Sequence, residues 1–136
     1  MRWTIGFACW TLFVWVGRIR NVVADESLDG ADLAWRLGIA TTFIVLGAAT
    51  LAAVWRASQR RSPGLLGIVR PAAVITVVVW VVRAGGILLD GSHDGGFKVV
   101  HTVLAIASCI LAWQADREVS GIASRGFGPV SSASVS

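Results

Sequence analysis

The sequence predicts an all-α integral membrane protein. It should be a four-transmembrane-helix bundle made of two tandem helical hairpins in parallel orientation, with both termini cytoplasmic. Three observations lead there. The composition is too apolar for a soluble domain, four stretches are long and apolar enough to cross a bilayer, and the second pair of stretches reads as a copy of the first.

Of the 136 residues, 55% are hydrophobic and only 15% charged, with a mean hydropathy of +0.71. Soluble domains carry about 25% charged residues, so little of this chain is water-facing surface. An isoelectric point near 10.5 would suit a nucleic-acid binder. The arginines, however, are dispersed between bilayer-length apolar runs and form no basic stripe, which argues against nucleic acid as a partner. Lys98 is the sole lysine among the twelve basic residues, a bias expected of a GC-rich bacterial genome. Cys9 and Cys109 both sit inside apolar runs without CxxC or Cys/His spacing, and read as small buried hydrophobes.

A crossing needs about 20 mostly apolar residues. Four windows qualify: Trp3 to Val23, Leu33 to Trp55, Pro71 to Leu89 and Phe97 to Ala115. Pro71 suits a first helical turn, where its missing N–H costs nothing. The N-terminal side carries Arg2, Arg56, Arg60, Arg61, Arg70, Arg117 and Arg125 against Asp116 and Glu118 alone. The opposite side carries Arg18, Arg20, Arg36, Arg83 and Lys98 against Asp25, Glu26, Asp29, Asp32, Asp90 and Asp94. That asymmetry places both termini in the cytoplasm, in the bacterial cytoplasmic (inner) membrane, and Trp3, Trp55 and Trp113 would then sit at the inner interface. The first window also has the layout of a signal peptide, with Arg2 ahead of it and "VVA" before Asp25. Arg18 and Arg20 interrupt the usual site region and argue against cleavage. We read residues 1–120 as one membrane domain, and Gly121 to Ser136, small and polar, as a disordered cytoplasmic tail.

Shifting the chain by 65 residues aligns its halves without a gap. Thr11, Val14, Trp15, Val16 and Arg18 meet Thr76, Val79, Trp80, Val81 and Arg83; Asp25, Ser27, Asp29 and Gly30 meet Asp90, Ser92, Asp94 and Gly95; Ala40 and Leu46 meet Ala105 and Leu111. Apolar matches are common among membrane helices, so the weight rests on the Trp, Arg and Asp pairs. Repeat 1 spans about 3–55 and repeat 2 about 68–115. Each holds two spans, so the halves share one orientation about an axis along the membrane normal.

The repeated arginine is the candidate for function. Arg18 to Asp25 and Arg83 to Asp90 are seven-residue steps, which put both groups on one helix face about 10.5 Å apart. A membrane arginine faces protein, water or a headgroup, because lipid exposure costs several kcal/mol. Two readings follow. Either Arg18 and Arg83 snorkel to the acidic turns and lipid phosphates, or they converge near the symmetry axis as an anion-binding or gating site. Arg36 and its repeat counterpart His101 belong to the same layer. Asp90, His93 and Asp94 are a weak candidate metal set, although turn chemistry accounts for them. His93 and His101, on one connection, are badly placed for bis-histidine haem, so no cofactor is implied.

Small residues in the second span, Gly38, Ala48, Ala49, Ala52 and Ala53, predict close helix packing. No nucleophile triad, P-loop, dinucleotide fingerprint or metallohydrolase motif is present in the sequence, which points away from an enzyme. The leading expectation is a protein that acts by association within the lipid bilayer, as an accessory or stabilising subunit of a membrane complex with a membrane protein partner, or as a homo-oligomer. The alternative is a small transporter or channel for an anionic or lipid-like solute, using Arg18 and Arg83.

Overall fold

The computed structural model describes residues 1–26, 30–59, 67–91 and 94–126. They form four helices: α1 (Arg2–Val23), α2 (Gly30–Ser58), α3 (Val69–Leu89) and α4 (Gly95–Gly126). Helices α2, α3 and α4 are long and apolar enough to cross a membrane. At 22 residues, α1 has the length but is less apolar than the sequence windows imply. Arg18 and Arg20 occupy its last two turns, and Trp3, Trp10 and Trp15 are amphipathic rather than aliphatic.

Local chemistry sets the helix ends. Pro71 lies in the first turn of α3, as expected. Helix α1 closes at Ala24, whose N–H bonds back to Arg20 O at 3.2 Å while the Asp25 N–H reaches Val22 O at 3.4 Å, and α3 closes at extended Asp90, whose N–H reaches Gly86 O at 3.0 Å. The Asp94 Oδ1 accepts the Phe97 N–H at 2.7 Å and so caps the start of α4. Lys98 Nζ donates to Leu88 O at 3.3 Å, where a cation suits the carbonyl end of α3. Helix α4 continues to Gly126 instead of giving way to a tail at Gly121. Its Val119 still packs on the core, so burial supports the helix beyond Ala115. Residues 127–136, the rest of the expected tail, lie outside the described residues.

Helix α1 packs along α2, α3 along α4, and α1 also along α4, whereas α2 and α3 approach each other only marginally. The order around the bundle is therefore α2–α1–α4–α3, with a gap between the first and last. The buried residues of α1 are Thr4, Phe7, Ala8, Thr11, Trp15 and Val22; those of α3 are Val69, Ala72, Ala73, Thr76, Trp80 and Ile87. Each of the first set lies 65 residues before its counterpart in the second. Ala40, Phe43, Gly47 and Thr50 of α2 match Ala105, Ser108, Ala112 and Ala115 of α4 in the same way. Even a side-chain device recurs: Thr11 Oγ1 donates to Phe7 O and Thr76 Oγ1 to Ala72 O, both at 2.8 Å. Such i−4 bonds satisfy a hydroxyl inside an apolar layer without a neighbouring helix.

One core cluster joins Phe7, Val69, Ala72, Ala73, Ala112 and Ala115, with Leu46 of α2 against it. A second, nearer the two hairpin turns, holds Trp15, Ala40 and Phe43, with Val79 of α3 packed on it. Trp15 stacks flat on Phe43, with ring centroids 4.3 Å apart and planes 4° from parallel. Outward faces are apolar, including Phe13, Val45, Val81, Val99 and Ile110, an inverted pattern that matches hydrocarbon surroundings. The small residues behave differently from expectation. Ala53 is buried and Ala49 half-buried, but Gly38, Ala48 and Ala52 face outward. The helix period instead turns Ala40, Phe43, Gly47 and Thr50 inward. Gly47 forms the tightest approach, where an added Cβ would lie 3.0 Å from Leu12 Cγ and 3.4 Å from Ala8 O.

Candidate anion-binding cavity at the turn end

At the end of the bundle that carries the two hairpin turns, α1, α2, α3 and the first turn of α4 surround a cavity of about 820 Å³. Its chemistry is layered along the helices. Trp15, Ile39 and Val79 line its deepest part; Arg18, Arg36 and Arg83 come next; Asp25, Asp32 and Asp90 lie nearest the turns. The order follows from sequence. Arg18 and Arg83 precede their aspartates by seven residues, about 10.5 Å of helix, and Arg36 follows Asp32 by four, about 6 Å. The helices α1 and α3 end just before Asp25 and Asp90, so each carboxylate sits on the turn side of its helix end.

The three guanidiniums are half-buried and lie within electrostatic reach of one another: Arg18 senses Arg83 and Arg36, and Arg83 senses Arg36. Gathering like charges in a partly dry cavity is unfavourable unless an opposite charge offsets it. Arg20 makes the contrast. Two residues beyond Arg18, it is turned about 200° around α1 and is exposed on the outer face of the bundle.

The structure therefore brings Arg18, Arg36, Arg83, Asp25 and Asp90 together, and separates His101 from them. Although His101 stands 65 residues after Arg36, its Nδ1 lies 2.9 Å from Phe97 O and its ring packs on Phe97 at 3.9 Å. Phe97 itself is the part of α4 that lines the cavity. In the weak metal set, Asp94 is engaged as the α4 cap, Asp90 lines the cavity, and His93 lies outside the described residues. Among the described residues, no group of three His, Cys, Asp or Glu side chains is placed to hold a metal ion.

Sequence reasoning missed the polar ties that hold α1 to α4. Trp10 Nε1 donates to Ser108 Oγ at 2.9 Å. Beyond the apolar stretch of α4, Thr4 donates to Glu118 Oε2 from its N–H at 2.9 Å and its hydroxyl at 2.8 Å, while the Met1 ammonium pairs with Oε1 at 2.8 Å. Burial pushes the Glu118 carboxyl up, but the hydrogen bonds from the ammonium and Thr4, with the ammonium charge, outweigh it and hold the group at about 2. The signal for these ties was an unexplained polar residue on an apolar face, at Thr4 and at Ser108. Comparison with known protein families, with curated proteins and with solved structures finds no match to this chain.

Proposed function

We propose that this chain is a non-enzymatic, polytopic protein of the bacterial cytoplasmic membrane that binds an anion in the arginine-lined cavity, as part of a transport or gating role. Both termini are cytoplasmic in this reading, so the cavity faces the outer leaflet. One observation carries it: Arg18, Arg36 and Arg83, from three different helices, line a single cavity. Arginines that served only to anchor helices would point outward, as Arg20 does. Guanidinium forks match phosphate and carboxylate geometry, and the three arginines lie deeper in the cavity than Asp25, Asp32 and Asp90, where one anion can meet all three. A tandem duplication of the hairpin accounts for the paired Arg18 and Arg83, and the 65-residue recurrence of buried positions supports it.

The test is the thermal stability of the purified protein in neutral detergent, titrated with phosphate-bearing ligands and with neutral counterparts. Charge-dependent stabilisation of the native chain, lost in Arg83→Gln and kept in Arg20→Gln, is expected. No anion-dependent shift in a well-folded native chain would contradict the reading. Action by association is a second reading, favoured by the outward stripe of Gly38, Thr41, Ala48 and Ala52 on α2. Its test is the mass of the particle in gentle detergent, with a stoichiometric partner or a defined homo-oligomer expected.

A further inference from the structure

We propose that the ligand of the cavity is an anionic membrane phospholipid that enters sideways between α2 and α3, its phosphate meeting Arg18, Arg36 and Arg83 and its chains lying along the α2/α3 seam. This rests on the anion-binding reading above and names the class of anion.

Four observations point the same way. First, the cavity opens laterally. Trp35 of α2 and Val78 and Val82 of α3 line it and are at the same time 70%, 55% and 70% exposed, so they form the edges of an opening where α2 and α3 barely approach. Second, the aqueous mouth is acidic. Asp25, Asp32 and Asp90 lie between the arginines and the turns, so a soluble anion entering from the turn end would have to pass a rim of carboxylates. Lateral entry from the bilayer bypasses that rim.

Third, the cavity is amphiphilic in the right order, with guanidiniums above Trp15, Ile39 and Val79, and its edges are aliphatic and aromatic. At about 820 Å³ it falls in the range of pockets that enclose drug-sized ligands, about 300–1,000 Å³, which is far more than a bare phosphate fills. Fourth, the α2/α3 seam lacks the ties of its counterpart. Positions equivalent to Trp10 and Ser108 are Ile75 and Phe43, and those equivalent to Thr4 and Glu118 are Val69 and Ala53. An apolar seam has little reason to close in hydrocarbon, because lipid chains solvate it as well as another helix does.

The experiment uses the full chain, delipidated in neutral detergent. Native mass spectrometry measures retention of dioleoyl phosphatidylglycerol against dioleoyl phosphatidylcholine, and equilibrium dialysis measures inorganic phosphate and glycerol 3-phosphate. The anionic lipid should be held about tenfold more tightly than the zwitterionic one, the equivalent of one charge-assisted hydrogen bond. Arg83→Gln should remove that preference. Val82→Trp, or Val78→Trp if the first folds poorly, fills the lateral opening and should weaken lipid retention about tenfold while sparing phosphate and glycerol 3-phosphate. Arginine-dependent binding of the soluble anions with no preference for the anionic lipid, or with no effect of the tryptophan variants, would overturn the lipid proposal and leave the anion site standing. Absence of any arginine-dependent binding would overturn both.

Discussion

Under a 65-residue shift the α1/α4 seam and the α2/α3 seam fall on matching positions, yet one is fastened by hydrogen bonds and in the other the helices approach only marginally. On the α1/α4 side, Trp10 bonds Ser108 and Thr4 bonds Glu118. On the α2/α3 side, the same positions hold Ile75, Phe43, Val69 and Ala53. Burial is otherwise matched position for position between α1 and α3. Apolar packing alone therefore does not decide which seam closes. In water the hydrophobic effect would drive both shut; among lipid chains the decision falls to close van der Waals fit and hydrogen bonds. The polar ties thus lie on the side where the helices pack, and the side without them borders the Arg18–Arg36–Arg83 cavity.

The largest way to break this arrangement is to pry α2 from α1, since α2 has no comparable hold on α3. Gly47→Val puts side-chain atoms where a Cβ alone already meets Leu12 at 3.0 Å, and overpacking of this kind costs about 1–3 kcal/mol. The melting temperature in detergent should drop clearly, while Gly38→Val, with nothing within 4 Å, should leave it unchanged. Next in size is the Glu118 cluster. Thr4→Val removes the hydroxyl donor to a charged acceptor, worth roughly 1.5–3 kcal/mol when buried, and should loosen the α1/α4 seam without affecting the cavity arginines. The same cluster carries a pH dependence. Because Glu118 is held at about 2 in the fold against an ordinary 4.5, its stabilisation is present above pH 4.5 and is lost as pH falls towards 2. Melts at about pH 7, above that window, and at about pH 3, within it, should differ more for the native chain than for Glu118→Gln.

Smaller again is Trp10→Phe, which deletes the bond to Ser108. Interhelical hydrogen bonds in membranes average about 0.6 kcal/mol, so resistance to denaturing detergent should fall slightly. The smallest effect sharpens the comparison from the other direction. Thr50 Oγ1 is buried and, among the described residues, has no hydrogen-bond partner, whereas its counterpart is Ala115. Thr50→Val removes the unsatisfied group at similar volume, and should be neutral or stabilising by up to about 1 kcal/mol in the same assay.

Much of this was legible in the sequence because bilayer length, positional recurrence and arginine content are written in one dimension. Four helices, the place of Pro71, and the pairing of Arg18 with Arg83 all follow from counting. What counting does not give is rotation about a helix relative to a neighbour. The small residues of α2 illustrate it: Gly38 and Ala52 looked like a packing seam, but Phe43 stacking on Trp15 sets which face turns inward. Arg36 and His101 share a repeat position, yet the His101 ring turns back onto Phe97 of its own helix, and Arg36 enters the cavity. The open seam was illegible for a related reason. It depends on which of two equivalent interfaces carries a Trp–Ser or Thr–Glu pair 98 or 114 residues apart, and such pairs have no local signature.

The most direct test of the account compares the two seams by the same distance measurement. Spin labels at Trp35→Cys and Val78→Cys report on α2/α3, and labels at Phe13→Cys and Val100→Cys report on the equivalent positions of α1/α4. All four sites are exposed, and Cys9 and Cys109 are replaced by Ala beforehand. In bilayers, double electron–electron resonance should give a longer and broader distance for the α2/α3 pair, which narrows when phosphatidylglycerol replaces phosphatidylcholine, with the α1/α4 distance unmoved. Equal, narrow distances for both pairs that ignore the lipid would contradict the account.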